Sequence, residues 1–213
     1  GYEFYSIREY IYGDDLKRIN WRATGKFNKL MSNEFESERV TDVLIVVDTS
    51  GREVIGEYIS EVIESMVSVA CSLAIAYIRH SNRVGLFTHG KHRSWVMPEF
   101  GKRQLLRILH LLADTREGES VPIEFVVSYI TPYILKPRAE VIILSPLLTS
   151  GILKLVARLV SMDYRVLVLS PNPFVSISGE LEKVAMRVLS LKRRVLMLSL
   201  MRYCHVIEWD PRL

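Results

Sequence analysis

A carboxylate and a hydroxyl stand two residues apart directly after the most apolar stretch of the chain. That stretch, 43–47, runs into Asp48-Thr49-Ser50-Gly51-Arg52. In open α/β sheets, ligand sites lie beyond the carboxyl ends of the strands. Short carboxylate and hydroxyl side chains on adjacent loops supply the oxygen ligands that magnesium prefers. Asp48 and Ser50 are therefore candidate metal ligands, and Ser120 in a later loop is a third.

This arrangement resembles the metal-ion-dependent adhesion site of von Willebrand factor A-like domains. Their signature is an Asp, a Ser two and four residues later, and a Thr and a second Asp from later loops. This chain has Arg52 in place of the second Ser, and Ser145-Pro146 where the second Asp is expected. The resemblance therefore implies a degenerate site. We expect no functional magnesium binding, because the oxygen ligands are too few.

Arg52 leaves two interpretations open. Its guanidinium group either occupies the space of the missing cation and neutralises Asp48, or points into solvent. The competing functional class is a metal-dependent ligand-binding domain. In that class Asp48, Ser50 and Ser120 coordinate magnesium, and water fills the missing positions.

Arginine, acidic and aromatic residues alternate closely in the first forty residues. Seven of them are candidates for binding a partner: Arg8, Tyr10, Asp14, Asp15, Arg18, Trp21 and Arg22. Mixed charges near a turn usually brace a small lobe, so we expect Asp–Arg pairs, with Trp21 as an apolar plug against the sheet. The alternative is a recognition surface, because Trp, Tyr and Arg anchor many protein interfaces.

The same segment resembles the bacterial and archaeal domain of unknown function numbered fifty-eight. The resemblance rests on Arg8-Glu9-Tyr10, Gly13-Asp14-Asp15, Arg18-Ile19-Asn20-Trp21-Arg22-Ala23, Glu34-Phe35 and Glu38. It implies a von Willebrand factor A-like core with an added lobe, a MoxR-type AAA+ ATPase as partner, and membrane helices upstream in many members. Asn20 and Gly25-Lys26 depart from the usual Asp and Ala-Arg, which weakens the case for a preserved acid–base site.

Three further sequence motifs are interpreted as structural. His89-Gly90-Lys91-His92 is predicted to be an exposed hairpin tip, because zinc would need at least one more ligand. Pro146 and Pro171 each follow Leu-Ser and are predicted to end strands. Lys192-Arg193-Arg194 is predicted to be a solvated helix end, and it lacks the interleaved aromatic residues of a nucleic-acid groove. The apolar residues around this basic run are predicted either to be buried or to form a docking face.

Sequence signatures of catalysis are missing. The chain has no G-x-S-x-G, no Walker-type glycine loop and no G-x-G-x-x-G. We therefore expect a protein that is not an enzyme and that has no cofactor.

Strands and helices alternate through most of the chain. Buried strands are predicted at 43–47, 141–144 and 166–169, a final short strand at 204–208, a hairpin at 83–88 and 93–97, and helices at 16–23, 59–77, 105–112, 120–130, 153–160 and 180–192. Right-handed crossovers between parallel strands predict a three-layer α/β sandwich with a mostly parallel central sheet, von Willebrand factor A-like. We expect one domain, 1–213, with an N-terminal lobe at 1–40 and a core at 41–213.

The composition is that of a globular protein. The 213 residues are 49% hydrophobic and 24% charged, with a formal net charge of +4, which excludes disorder and a coiled coil. Two cysteines are too few for a disulfide scaffold and favour a reducing compartment. We expect no apolar run long enough to cross a bilayer and no signal peptide. The expected location is cytoplasmic, either as a soluble chain or as the cytoplasmic part of a membrane-anchored protein, with a protein partner and no nucleic acid.

Overall fold

The structure, a computed structural model, describes five segments of the chain. They are 2–37, 40–90, 94–118, 122–175 and 180–212, with side chains at 6–33, 40–51, 53–90, 94–118, 122–175 and 185–212. The chain divides into two compact units, Gly1–Val40 and Thr41–Leu213. The boundary lies where the sequence composition changes. The interpretation of both units as one domain stays a prediction.

A two-stranded antiparallel sheet frames the first unit. It consists of β1, Tyr2–Glu9, and β2, Met31–Ser37, with a 3₁₀ turn at Leu16–Arg18 and a helix, α1, at Trp21–Phe27 between them. The single helix predicted over 16–23 is therefore wrong. The α-helix begins later because the Asn20 side chain accepts a hydrogen bond from the Ala23 amide at 2.9 Å and caps its first turn.

The second unit alternates strands and helices as predicted. Its elements are β3 (Asp42–Asp48), α2 (Arg52–Ile55), α3 (Ile59–Arg79), β4 (Arg83–His89), β5 (Ser94–Glu99), α4 (Gly101–Ala113), α5 (Ile123–Ile134), β6 (Glu140–Leu144), α6 (Gly151–Ser161), β7 (Arg165–Pro171), α7 (Glu180–Leu200) and β8 (His205–Trp209). A 3₁₀ turn, Gly56–Tyr58, joins α2 to α3.

The six strands of this unit form one sheet in the order β5-β4-β3-β6-β7-β8. Neighbouring strands are parallel except for β4 and β5, which form the predicted hairpin. All seven residues of β3 are buried, as a strand covered on both faces requires. The predicted fold class, an α/β sandwich with a mostly parallel central sheet, is confirmed.

Alternate residues of β3 serve two hydrophobic cores, because successive side chains of a strand point to opposite faces. Val43, Ile45 and Val47 pack in one core with buried residues of α3 and α4. Leu44 and Val46 pack in the other with buried residues of α5 and α6 and with Leu200 of α7. The helices therefore cover both faces of the sheet and leave its carboxyl edge to the loops.

One stretch, Glu53–Arg79, is long and apolar enough to cross a membrane by length and composition, and it is the one such stretch in the described residues. The expectation that the chain has no such run is wrong on that criterion. The reason is that partly buried apolar residues, among them Val69, Cys71 and Leu73, widen the apolar surface of α3 beyond its fully buried face. Its inner face, with Ile59, Val62 and Met66, is buried against the sheet, as in the core helix of a globular protein.

Candidate functional site

Four polar residues lie at the carboxyl edge of the central strands. β3 ends at Asp48, β4 ends at His89, Ser145 follows β6, and Ser170 lies near the end of β7. Parallel strands bring their carboxyl ends to the same edge of a sheet. All four side chains are 0–2% exposed. We call this group, with Ser50, the edge cluster.

The Asp48 carboxylate is hydrogen-bonded through both of its oxygens. Oδ1 accepts from the Ser50 amide at 3.1 Å and from Ser50 Oγ at 2.6 Å. Oδ2 accepts from Ser145 Oγ at 2.7 Å. Because a buried carboxylate is costly without such partners, these three bonds explain how Asp48 is tolerated at 1% exposure.

His89 lies beside this carboxylate, with Nδ1 3.6 Å from Asp48 Oδ1. The prediction that His89 belongs to an exposed hairpin tip is therefore wrong. β4 extends to His89, which is paired in register with Asp48, so the imidazole is only 2% exposed. Lys91 and His92 lie outside the described residues.

Thr49 ties the loop after β3 to the loop after β4. Its amide and its hydroxyl are both within hydrogen-bond distance of the His89 carbonyl, at 2.9 and 2.5 Å. Thr49 Oγ1 also lies 3.1 Å from the Arg116 carbonyl. Gly90 permits this approach, because a Cβ atom there would collide with Thr49 Oγ1 and the Arg116 carbonyl. The loops above the edge cluster are thus packed against one another.

Ser145 is a residue of this cluster to which the sequence pattern assigned no role. It was predicted only to stand, with Pro146, where an adhesion site has its second Asp. The Ser145 hydroxyl instead donates to Asp48 and accepts from the Leu147 amide at 3.1 Å. The repeated Leu-Ser-Pro at the ends of β6 and β7 was the available signal, since both serines take part in buried polar networks.

Arg193 forms the second buried network at this edge. Its Nε donates to the Pro146 carbonyl at 3.1 Å. One terminal nitrogen donates to Ser170 Oγ at 2.8 Å and lies 3.2 Å from the Pro171 carbonyl. The other donates to Glu208 Oε1 at 2.5 Å. The guanidinium fork therefore connects α7 to the ends of β6, β7 and β8.

The prediction of a solvated helix end at Lys192-Arg193-Arg194 is wrong on two points. Helix α7 continues to Leu200 instead of ending near residue 192. Arg193 is 6% exposed, whereas its neighbours Lys192 and Arg194 are exposed. The reason is the helical period: one residue of three consecutive basic residues faces the sheet while the other two face outward.

The described residues do not fit a magnesium site. Asp48, Ser50 and Ser145 offer three side chains with oxygen atoms, of which one is a carboxylate, and both hydroxyls donate to that carboxylate. In the described part of the chain, His, Cys, Asp and Glu form no group of three that could hold a metal ion. Magnesium requires near-octahedral oxygen coordination. Ser120 and the Arg52 side chain lie outside the described parts, so their predicted roles stay predictions.

The edge cluster contains Ser, His and Asp but lacks the order that nucleophilic catalysis requires. In a catalytic triad the imidazole accepts the proton of the serine, and the carboxylate orients the imidazole. Here Ser50 and Ser145 donate to Asp48 directly. Both serines are at most 5% exposed. This geometry is that of a closed polar core.

The first unit contains a different carboxylate site. Arg8 binds Asp14 in a bidentate manner, at 2.7 and 2.8 Å. The Asp14 carboxylate also accepts from the Ile11 amide at 3.0 Å. The Arg8 hydrogen bonds, followed by the Ile11 amide, lower the pKa of Asp14 from 3.8 to about 2. The geometry matches the expected Asp–Arg brace of the turn.

The other motif residues divide between local caps and exposed positions. Asp15 accepts from the Lys17 amide at 3.0 Å and caps the 3₁₀ turn. Asn20, one of the departures from the family pattern, caps α1 and donates to Asn33 Oδ1 at 2.8 Å. Trp21 is 71% exposed, because it lies in the first turn of a short helix whose one buried residue is Ala23. Its predicted role as an apolar plug against the sheet concerns both units and stays a prediction.

Tyr10, Arg18 and Arg22 complete the candidate set of the first unit. Tyr10 is partly buried, and its amide donates to the Leu30 carbonyl at 2.8 Å beside the two-stranded sheet. Arg18 and Arg22 are exposed. Of the seven partner-binding candidates, Arg8 and Asp14 are thus paired with each other, Asp15 is a cap and Tyr10 is partly buried. The other three, Arg18, Trp21 and Arg22, are exposed.

Two solved structures are similar to parts of this chain. The manganese-loaded TRAP protein of Plasmodium vivax is similar over 83% of this chain and 71% of its own, with a TM-score of 0.50 and 14% identity. The proximal thread matrix protein 1 of the mussel byssus matches 72% of this chain and 47% of its own, with a TM-score of 0.46 and 11% identity. At these identities the likeness to TRAP shows the fold alone.

The sequence itself is similar to the uncharacterized protein YeaD of Bacillus subtilis. The two are 25% identical over 118 residues, which cover 55% of this chain and 28% of that protein's length. The family model described as protein of unknown function DUF58 matches residues 6–171, most of the chain and both units. The match includes the motif of the first unit, Asp48 at the end of β3, and Ser145 directly after β6. The chain therefore belongs to the DUF58 family.

Proposed function

We propose that this chain is a non-catalytic protein-interaction module built on a degenerate metal-ion-dependent adhesion site. The observation that carries the proposal is the state of Asp48. The residue that would bind a cation in an adhesion site is 1% exposed and accepts hydrogen bonds from Ser50 and Ser145 through both oxygens. Such an aspartate has a structural role, and we therefore assign partner binding to exposed residues.

Exposed aromatic side chains support the interaction half of this proposal. Phe125, Tyr129 and Tyr133 of α5 are 66–73% exposed and follow one another every four residues, so they lie on one helix face. The rings of Tyr129 and Tyr133 are paired at 5.6 Å. In the first unit, Tyr12 and Trp21 are also exposed. Large exposed aromatic groups are the residue types that anchor protein interfaces.

The partner we propose is a MoxR-type AAA+ ATPase, with a role in the assembly or maturation of other proteins. This part of the proposal rests on the family resemblance, which also implies a location in the cytoplasm or at the cytoplasmic side of a membrane. Copurification of the chain with the MoxR-type ATPase of the same genome tests it. Trp21→Ala is expected to weaken the complex, because Trp21 belongs to the family motif. Phe27→Ala, at a 57% exposed aromatic position of the same helix outside that motif, is expected not to. If no complex forms, this partner is contradicted; if a complex forms and Trp21→Ala leaves it unchanged, the role of Trp21 in binding is contradicted.

The competing function is a metal-dependent ligand-binding domain in which Asp48 and Ser50 coordinate magnesium. Thermal unfolding with and without millimolar magnesium separates the two functions, because an ion bound only by the folded chain must raise the midpoint. We expect magnesium to leave the midpoint of the natural chain unchanged, and likewise the midpoint of Ser50→Ala. A rise that Ser50→Ala abolishes would establish the metal-dependent function instead.

A further inference from the structure

Helix α7 has a second apolar face that the core does not use. Its inner face is formed by Leu189, Leu196 and Leu200, which are buried or partly buried, together with Arg193. On the outside, Val188, Leu191, Val195 and Leu198 are 52–64% exposed. We call these four residues the α7 seam.

The α7 seam has the spacing of a coiled-coil interface. Its residues alternate steps of three and four, so they occupy positions a, d, a and d of successive heptads. The a positions are Val and the d positions are Leu, the combination that favours two-stranded pairing. Four residues at this spacing form a narrow stripe, typical of a helix-to-helix seam, and narrower than the apolar face of a helix that packs on a sheet.

Basic residues flank the α7 seam on both sides. With Val188 at position a, Arg187 and Arg194 fall at g and Lys192 falls at e, and all three are exposed. The sequence from 183 to 207 contains six Lys and Arg residues and no Asp or Glu. The e and g positions determine which helix pairs with a seam, because their charges face each other across it.

From this register we propose that the α7 seam binds a helix of a partner protein that carries apolar residues at a and d and Glu or Asp at e and g. The inference rests on the proposed interaction function and names the chemistry of the partner. A second copy of this chain is disfavoured, because Arg187 of one copy would face Lys192 of the other. A lipid surface is disfavoured, because residues 180–202 contain no Trp, Tyr or Phe, and interfacial helices typically insert such side chains.

Two synthetic helical peptides with the same Val and Leu seam test the proposal. One carries Glu at every e and g position and the other carries Lys, and their affinities for the whole chain are compared by fluorescence anisotropy. We expect the Glu peptide to bind at least about tenfold more tightly. The triple variant Arg187→Glu, Lys192→Glu, Arg194→Glu is expected to reverse this preference. Equal affinities, or no reversal, contradict the proposal.

A second pair of variants tests the apolar part of the α7 seam. Leu191→Ser with Val195→Ser is expected to abolish binding of the Glu peptide. Leu106→Ser on α4, at a 58% exposed apolar position, is the matched control and is expected to leave the affinity unchanged. Far-ultraviolet circular dichroism checks that each variant is folded.

Two further measurements address the other occupants of the α7 seam, a lipid surface and a second copy of the chain. We expect the chain not to bind vesicles of phosphatidylcholine with about one quarter phosphatidylserine, and we expect sedimentation to show a monomer. Vesicle binding or a dimer that is lost in the Leu191→Ser, Val195→Ser variant would overturn the proposal. If the MoxR-type ATPase binds equally well to the seam variants, the proposed function stands and the α7 seam proposal fails.

Discussion

Asp48 and Asp14 are both held by several hydrogen bonds, but the two sites use different donors. Asp48 is 1% exposed and is bound by the neutral hydroxyls of Ser50 and Ser145. The Asp14 side chain is 20% exposed and is bound by the Arg8 guanidinium. A charged donor at the buried site would have to lose its own hydration as well, whereas a partly exposed pair keeps much of it. The comparison teaches that burial decides which donors suit a carboxylate: neutral hydroxyls where it is buried, and a charged guanidinium where water still reaches the pair.

The largest loss of stability is expected for Arg193, the other buried charged side chain at the carboxyl edge of the sheet. Arg193→Met should lower the free energy of unfolding by about 3 kcal/mol, because it leaves Ser170, two carbonyl groups and Glu208 without their donor. Arg194→Met removes the exposed neighbour and should change stability by less than about 0.5 kcal/mol. Urea unfolding followed by circular dichroism measures both. Equal losses for the two variants would show that Arg193 is not buried as described.

A smaller loss is expected when one hydroxyl is removed from Asp48. Ser145→Ala should lower the free energy of unfolding by about 2 kcal/mol, since it leaves one carboxylate oxygen buried without its donor. Ser161→Ala on α6 is the control, because the Ser161 hydroxyl bonds a carbonyl at an exposed site. The same urea measurement applies. A stability change near zero for Ser145→Ala would mean that water replaces the hydroxyl and that the edge is open.

The sequence predicted the scaffold because β3, β6 and β7 each contain a continuous run of Val, Ile and Leu residues. It did not predict which polar residues meet at the strand ends. His89 belongs to the cluster because β4 extends one residue beyond the predicted strand, a difference that local patterns do not resolve. Arg193 has two basic neighbours, and only the position of the helix against the sheet distinguishes it from them. Trp21 has a residue type that is usually partly buried, but its short helix buries only Ala23.

The smallest effect on stability is expected at Asp14, the partly exposed carboxylate. The folded-state pKa of Asp14 is about 2, below its ordinary 3.8. The contribution of the Arg8–Asp14 pair to stability is therefore complete above about pH 4 and is lost as the pH falls through about 2. Asp14→Asn should flatten the pH dependence of stability in that window. Unchanged pH dependence would contradict the ion pair.

The pKa itself gives a sharper test of this site. Arg8→Gln should raise the pKa of Asp14 toward its ordinary value, as measured by NMR titration of the carboxyl carbon. Arg18→Gln should raise it less, because Arg18 acts on Asp14 only through a weaker long-range attraction. Equal shifts for the two variants would exclude the bidentate contact as the main cause.

Manganese binding followed by electron paramagnetic resonance tests the central claim most directly, because the signal of the free hexaaqua ion falls when the ion is bound. With the folded chain in excess, we expect the free-ion signal to stay the same for the natural chain and for Asp48→Ala. A saturable loss of signal that Asp48→Ala abolishes would contradict the claim that this site is degenerate. It would place a divalent ion at the carboxylate whose oxygens accept hydrogen bonds from Ser50 and Ser145.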